Sequence, residues 1–326
     1  MRASTASRFG GVVGLFTVAL GAQACRETSG EASFAGESGG DVAGGAGDTG
    51  DSATVADTTD MPTDATKDSA ASDAPKSDSG TTGFDGGDAS PGGIWRPTPG
   101  TSWQWQISGT IDTTVDAKVF DIDLFDSSDA TIADLHGKGR KVICYFDTAY
   151  EPGRPDSSRF TAAVLGNPIK GWPGQRWDDI RSDVVKSIMT DRMDLAVKKH
   201  CDAVEPDDVD GYANDPGFPL TAADTLVFLR FLSKEAHARG LAVGLKNDLD
   251  QVTDVVADFD FAVNEECFKF SECDRLKPFI AARKSVFQTE YGAESLKATI
   301  CPKSIALDFD TLIKNLALDA WRVSCR

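Results

Sequence analysis

Five carboxylates lie close together in the stretch CDAVEPDDVDGY, at positions 201–212 of this chain. They are Asp202, Glu205, Asp207, Asp208 and Asp210. Like charges at this density repel one another, so ordinary folding gives no reason to keep them together. Three interpretations are open: a solvated acidic loop, a calcium loop, or the carboxylates of an active site.

Short apolar runs alternate with amphipathic segments from residue 103 onward, and these elements must position the carboxylates. The eight predicted strands cover 103–107, 119–125, 141–146, 203–205, 241–245, 259–263, 285–289 and 320–323. An apolar-flanked stretch at 176–180 leaves the strand count open by one. The alternation predicts an α/β fold, a parallel (β/α)8 TIM barrel, over residues 94–326. An open doubly wound sheet is the alternative, but no glycine-rich phosphate loop follows the first strand.

Two of the predicted helices carry start and stop signals. Ser182 is the predicted N-cap of a helix over 182–199. Apolar residues of this helix recur at a spacing of four, at Val185, Met189, Met193 and Val197. Thr221 and Asp224 resemble a capping box at the start of the next helix, and Gly240 closes that helix.

The carboxyl ends of the strands are where a barrel of this kind carries its chemistry. Polar and aromatic residues occupy these ends on most strands: Trp105, Asp123, Tyr145, Glu205, Asp207, Lys246, Asn264, Glu265 and Glu290. Asp210 follows in the loop after one of them. A solvated acidic loop gives no reason for other strands to end in the same way, so the pattern favours an active site.

Metal-dependent catalysis and catalysis by a histidine-activated nucleophile fit the sequence poorly. An EF-hand numbered from the glycine of the stretch would have Pro206 at its first position and Gly217 at its twelfth, where Asp and Glu are required. The histidines His136, His200 and His237 lie late in helical segments or just after them, at the opposite face of a barrel. We therefore expect no metal and no cofactor, and no catalytic triad built on histidine.

Paired carboxylates without a metal are the machinery of glycoside hydrolysis. One carboxyl must be ionised to attack the sugar or activate water, and another must be protonated to assist the leaving oxygen. Repulsion between them in a shielded pocket drives their pKa values apart. Trp105 and Tyr145 can offer faces on which sugar rings stack. The expected partner is a polysaccharide, and the net charge of −18 argues against nucleic acid.

Several motifs in register support this reading: WQWQISGTID, VFDIDLFD, KVICYF, CDAVEPDDVDGYAND, GLAVGLKND and DFAVNEEC. Together they resemble glycoside hydrolase family 114, the endo-α-1,4-polygalactosaminidase family, over about residues 94–326. The resemblance implies a (β/α)8 barrel that cuts α-1,4-linked galactosamine polymers within the chain, a cationic substrate. Carried over by matching motif, Asp207 and Glu265 are the catalytic carboxylates. The family commonly reads EPDN where this chain has Asp208.

Strand alternation distinguishes the roles of Glu205 and Asp207. Glu205 and Asp207 face the same side of one strand, with Asp207 at the rim and Glu205 deeper. We expect Asp207 to be the nucleophile, Glu205 to support it, and Glu265 to be the acid/base of a retaining enzyme. The expected substrate-binding residues are Trp105, Asp123, Tyr145, Glu205, Asp210, Lys246, Asn264 and Glu290. The alternatives are the same barrel acting on another polysaccharide, and a barrel that binds polysaccharide without turnover.

The first 93 residues predict export and a flexible connection. Arg2 and Arg8 precede an apolar run at 12–20, which is typical of a signal peptide over 1–25. Cys25 directly follows small residues, as in a lipoprotein box, so we expect lipidation there, with plain secretion as the alternative. Residues 26–93 are rich in Gly, Ser, Thr and Asp and predict a disordered linker. The protein is then exported, as a surface or outer-membrane lipoprotein or in free form, and meets a membrane only through that anchor.

Six cysteines follow Cys25, an even number that suggests disulfides in an exported protein. Proximity favours Cys267 with Cys273 and Cys301 with Cys325. Cys144 and Cys201 then remain to join two neighbouring strands. The sequence alone leaves this connectivity open.

Overall fold

The computed structural model describes residues 93–326. The predicted signal segment, Cys25 and nearly all of the predicted linker lie outside these residues. Within residues 93–326, no helix is both long and apolar enough to cross a membrane.

The main sheet has nine strands, and its first eight are parallel neighbours, which confirms the predicted barrel class. In chain order the strands are β1 (Trp103–Trp105), β2 (Val119–Asp123), β3 (Lys141–Asp147), β4 (Leu165–Pro168), β5 (Arg176–Asp178), β6 (Ala203–Asp207), β7 (Ala242–Lys246), β8 (Phe261–Glu265), β9 (Val286–Tyr291), β10 (Asp310–Lys314) and β11 (Arg322–Ser324). The sheet runs in the order β1-β2-β3-β6-β7-β8-β9-β10-β11, and β4 and β5 form a separate antiparallel pair. The sheet is thus a nearly closed barrel, and seven of its strands lie within two residues of their predicted bounds.

The eighth predicted strand is wrong. The parallel strand that completes the barrel is β10, whereas the predicted 320–323 overlaps β11, which pairs antiparallel with β10. The uncertain stretch at 176–180 begins with β5, outside the barrel.

Helices lie between the strands: α1 (Asp129–Gly137), α2 (Asp183–Lys198), α3 (Ala222–Ala238), α4 (Val252–Val255), α5 (Cys267–Phe270), α6 (Lys277–Ala281) and α7 (Lys297–Ala306). Ser182 caps α2 through its side chain, and Thr221 and Asp224 form the predicted capping box of α3. Gly240 follows α3 at a φ of +76°, which suits glycine. Val197 is 41% exposed, a correction to the predicted apolar stripe. A spacing of four overshoots the helical turn slightly at each step, so the stripe drifts off the buried face.

Apolar side chains fill the interior of the barrel. Trp103 stacks on Phe287 at 4.9 Å between ring centroids, and Phe261 lies edge-on to Phe287. A Cβ at Gly244 would lie 2.3 Å from the Phe261 ring, so β7 needs glycine at that position. This apolar layer supports polar side chains at the carboxyl ends of the strands.

Three disulfides tie the barrel together: Cys144–Cys201, Cys267–Cys273 and Cys301–Cys325. All three predicted pairings are therefore confirmed. Bridges of this kind are characteristic of proteins that fold in an oxidising compartment, as exported proteins do.

The histidines lie at the helix ends, as predicted. His136 is in the last turn of α1 and contacts Asp202, with 2.9 Å between Nε2 and Oδ2. His237 is in the last turn of α3 and contacts Asp260 at 2.8 Å. Asp202, the first carboxylate of the acidic stretch, therefore belongs to the amino end of β6 and not to a site at its carboxyl end.

Candidate active site

Two carboxylates point into the carboxyl end of the barrel. Ala203 and Val263 belong to the barrel-interior core, and side chains alternate along a strand, so Asp207 of β6 and Glu265 of β8 face the same interior. β6 and β8 are the fourth and sixth parallel strands of the sheet. Alternate strands of a barrel contribute to the same layer of side chains, so these two carboxyls lie at one level.

Lys246 of β7, the strand between them, contacts both. Its Nζ lies 2.7 Å from Asp207 Oδ2 and 3.4 Å from Glu265 Oε2. A third carboxylate, Glu205, lies below at 3.0 Å. The lysine side chain is 1% exposed. Burial alone would lower the pKa of Lys246, but the charges of the three carboxylates raise it well above its ordinary value, so the ammonium is permanent.

Aromatic rings surround this ammonium. Nζ lies 4.6 Å from the ring centroid of Trp105 and 5.5 Å from that of Tyr145. Such contacts stabilise a desolvated cation. The ammonium is therefore held by anions above and below it and by aromatic faces at its sides.

Each of the two rim carboxylates also accepts a hydrogen bond from a tyrosine. Tyr145 Oη donates to Asp207 Oδ2 at 3.1 Å, and Tyr291 Oη donates to Glu265 Oε1. Burial, and then the nearby carboxylates, raise the pKa of both phenols well above the ordinary value, so both remain donors. Asp207 and Glu265 keep 19% and 26% of their side chains exposed, which leaves them open to a ligand.

Asn247 fixes Glu265 from a second direction. Its Nδ2 donates to Glu265 Oε2 at 3.2 Å, and its Oδ1 accepts from the Glu265 backbone N–H at 2.9 Å. Asn247 has a φ of +47° and Asp248 a φ of +43°, a left-handed conformation that asparagine and aspartate tolerate best. The turn after β7 thus aims one amide at both the backbone and the carboxylate of Glu265.

Further acids border Asp207. Asp147 of β3 is its direct neighbour in the sheet register, and burial, followed by the charge of Asp207, raises the pKa of Asp147 to about 6. The same two causes raise the pKa of Asp210 to about 6. Burial and the charge of Asp147 raise the pKa of Asp208 well above its ordinary value. The crowded stretch therefore reduces its repulsion by keeping a proton on Asp208, and raised pKa values of this kind are typical of an active site.

Several of the residues predicted to bind substrate are deeply buried. Trp105, Glu205, Lys246 and Asn264 are each at most 2% exposed. Trp105 and Glu205 pack against Lys246, whereas Asn264 alternates with Glu265 and so points away from the barrel interior. These residues position the site from below or from behind.

Asp123 and Glu290 are buried as well. Asp123 is 3% exposed, and it accepts from the N–H groups of Phe125 and Asp126 and pairs with Arg154 at 2.7 Å, so it fixes the loop after β2. Glu290 is 4% exposed and accepts from the N–H of Phe268 at 2.9 Å. Of the predicted set, Tyr145 and Asp210 remain only partly buried.

The sequence analysis missed three contributors. Asp147 lies one residue beyond the predicted end of its strand, so its place at the rim was not seen. Asn247 and Asp121 were not assigned a role, although Asn247 directly follows Lys246 and Asp121 lies at alternate spacing from Asp123. Alternation along the strand was the signal that could have found Asp121.

A parallel α/β barrel with two partly exposed carboxylates at the carboxyl ends of its fourth and sixth strands is an arrangement found in glycoside hydrolases. The chain belongs to the glycoside-hydrolase family GH114, whose family model matches residues 87–326. This confirms the predicted family.

Solved structures agree with the assignment. The chain is similar to Ega3 of Aspergillus fumigatus, solved in complex with galactosamine, at 42% sequence identity and a TM-score of 0.69. The match covers 71% of this chain and 97% of that chain. The chain is also similar in fold to the glycoside hydrolase domain of PelA from Pseudomonas aeruginosa, at 11% identity and a TM-score of 0.56. That match covers 68% of this chain and 98% of the PelA domain. No curated protein sequence matches the chain.

Proposed function

We propose that this glycoside hydrolase cleaves α-1,4-linked galactosamine-containing polysaccharide within the chain and retains the anomeric configuration. Asp207 is the nucleophile and Glu265 the acid/base. The observation that carries the proposal is the single ammonium of Lys246 in contact with both carboxylates.

Retention is supported by the distances to Lys246. Two oxygens that lie 2.7 and 3.4 Å from the same nitrogen cannot be further apart than the sum of those distances. This limit falls below the spacing of about 6.5–9.5 Å that inverting enzymes need to admit a water molecule, and it admits the spacing of about 5–5.5 Å of retaining enzymes.

In the first step, Asp207 attacks the anomeric carbon, and Glu265, after taking up a proton from water at its exposed side, donates that proton to the leaving oxygen. In the second, the Glu265 carboxylate takes a proton from water, which attacks the glycosyl ester and frees Asp207. Asp207 loses its negative charge in the first step, and Glu265 gains one. The number of anions beside Lys246 is therefore constant, and the ammonium supports both states without moving far.

The acidic rim supports a cationic amino sugar as substrate. Asp210 follows the nucleophile in the loop after β6, and Asp147 borders it on the neighbouring strand; with pKa values of about 6, both are largely ionised near neutral pH. A polymer of unacetylated galactosamine carries ammonium groups near neutral pH and is attracted to such a rim. The similarity to a protein solved with galactosamine supports the same substrate.

The test compares the wild type with Asp207→Asn and Glu265→Gln on a galactosamine polymer, with Asp202→Asn as a control from the other end of the same strand. We expect new reducing ends and a rapid fall in polymer length for the wild type and the control. Each catalytic variant should lose several orders of magnitude in turnover while it keeps its fold.

NMR of the first-formed product distinguishes the anomers and decides between retention and inversion. An inverted product contradicts the mechanism. If the protein cleaves only an uncharged polysaccharide, the proposed galactosamine substrate is wrong. Tight binding without cleavage of any polymer would indicate a non-catalytic barrel.

The place of action is part of the proposal. We propose that Cys25 is the first residue of the mature protein and carries a lipid, which holds the enzyme at the cell surface. The predicted linker would then let the barrel reach polymer outside the cell.

A further inference from the structure

Two buried carboxyls face each other beneath the proposed catalytic pair. Val119 and Ala203 lie in the barrel-interior core, so Asp121 of β2 and Glu205 of β6 also point inward. The two strands are second and fourth in the sheet, and alternate strands share a layer. Both residues are 0% exposed, and a side-chain hydrogen bond between them contributes to the pKa shifts of both carboxyls.

No other donor satisfies the facing oxygens. Within residues 93–326, neither oxygen of Asp121 nor Oε2 of Glu205 has a hydrogen-bond donor. Glu205 Oε1 accepts from Lys246. Carboxylate oxygens only accept, so two ionised groups cannot bond to each other and would repel. A hydrogen bond between them requires one proton.

We propose that Asp121 is a positioning residue that keeps this proton and uses it to donate a hydrogen bond to Glu205. The pair then carries a single negative charge beneath Lys246. The charged groups that face Asp121 are Glu205, Lys246 and Asp207. Burial, followed by the charge of Glu205, raises the pKa of Asp121 well above its ordinary value, which agrees with a retained proton.

The consequence for the reaction rests on the proposed function. With one charge beneath it, the Lys246 ammonium is shared between Glu205 and the upper pair, Asp207 and Glu265. A second anion below would draw the ammonium down and away from the upper carboxylates. Asp121 thereby acts on the reaction through Glu205 and Lys246 and touches no substrate.

The test uses Asp121→Asn, whose amide can donate the same hydrogen bond, beside Asp121→Leu, which cannot. We expect kcat of the asparagine variant within about three-fold of the wild type. We expect kcat of the leucine variant to be at least about ten-fold lower, at similar KM, because Glu205 loses its donor and its unshared charge draws the Lys246 ammonium away from the upper pair. The alkaline limb of the kcat–pH profile should move to higher pH in the asparagine variant, because its donor cannot ionise. If both variants lose activity equally, or if the profile is unchanged, the proposal is overturned.

Infrared spectroscopy tests the proton without any substrate. The carbonyl stretch of protonated carboxylic acids at neutral pH should lose intensity in Asp121→Asn. Asp260→Asn is the matched control, because Asp260 is also 0% exposed but is ionised. Burial alone would raise the pKa of Asp260, but its contacts with His237 and Arg96 lower it. An unchanged band in Asp121→Asn refutes the shared proton even if Asp121→Leu fails to fold. An inactive wild type refutes only the proposed function.

Discussion

Replacing Lys246 with methionine should destabilise the protein more than the loss of an ordinary buried side chain. Methionine fills a similar volume, but Glu205, Asp207 and Glu265 lose their shared cation. Removing one partner of a buried ion pair costs about 3–5 kcal/mol, because the remaining charges stay buried. For a domain of this size we expect the Tm to fall by about 6–20 °C at pH 7.

A second buried lysine provides the matched control. Lys314 at the end of β10 is 0% exposed, and its Nζ donates to the carbonyl of Asp319 at 2.6 Å, but it makes no ion pair with a carboxylate of residues 93–326. Burial lowers the pKa of Lys314 to about 8. A depressed lysine pKa means that the fold binds the proton less well than the unfolded chain, so at pH 7 the charge costs about 3 kcal/mol. We therefore expect Lys314→Met to stay within about 1 kcal/mol of the wild type or to be more stable, after loss of its hydrogen bond.

Urea unfolding and calorimetry at pH 7 measure both variants. The ion-pair account predicts a difference of several kcal/mol between two substitutions of the same type at equally buried sites. The double variant Lys246→Met with Glu205→Gln should recover part of the loss, because the charge left unpaired is removed with its partner. Equal losses for the two lysine variants, or no recovery in the double variant, would show that packing rather than charge sets the cost.

Three further predictions concern other parts of the chain. Replacing Cys267 and Cys273 by serine should cost about 2 kcal/mol in chemical unfolding and should also lower turnover, because the bridge orders the segment directly after Glu265. Asp248→Asn should raise stability in alkaline solution. Burial, with the nearby acids, raises the pKa of Asp248 to about 7, so the wild type loses up to about 4 kcal/mol of stability as pH rises from about 4 to 7. Melting at about pH 4 and about pH 8.5 should therefore show the gain only at the higher pH. Intact mass of the membrane fraction should show a lipid on Cys25, and an unmodified soluble product refutes the anchor while leaving secretion intact.

The repeating pattern of the barrel could be predicted from the sequence because most of its strands are apolar and end in polar residues. The strand β10 was not predicted because its sequence, DTLIK, is polar at three of five positions. Those polar groups are satisfied only by tertiary partners: Asp310 accepts from the N–H of Gly100, Thr311 bonds to Ser304, and Lys314 donates to Asp319. No local signal distinguishes such a strand from a loop.

The candidate catalytic carboxylates could be named from the sequence, but the depth of their neighbours could not. Glu265 and Asn264 are adjacent at the end of β8, yet one faces the barrel interior and the other the helix layer. Glu290 and Tyr291 differ in the same way at the end of β9. Which of two adjacent polar residues lines the site depends on strand register, and register is set by contacts with neighbouring strands.

The layered construction of the barrel explains why one lysine can serve two carboxylates. Side chains of alternate strands share a layer, so Asp207 and Glu265 lie in one layer and Asp121 and Glu205 in another below it. Lys246 comes from an intervening strand and enters between the two layers, where it meets anions on both sides. With no anion below, the ammonium would be held only by the upper pair, and with two it would be drawn from them. A carboxyl that keeps its proton beside one that has lost it supplies a single charge, which leaves the ammonium free to follow the negative charge as it passes from Asp207 to Glu265.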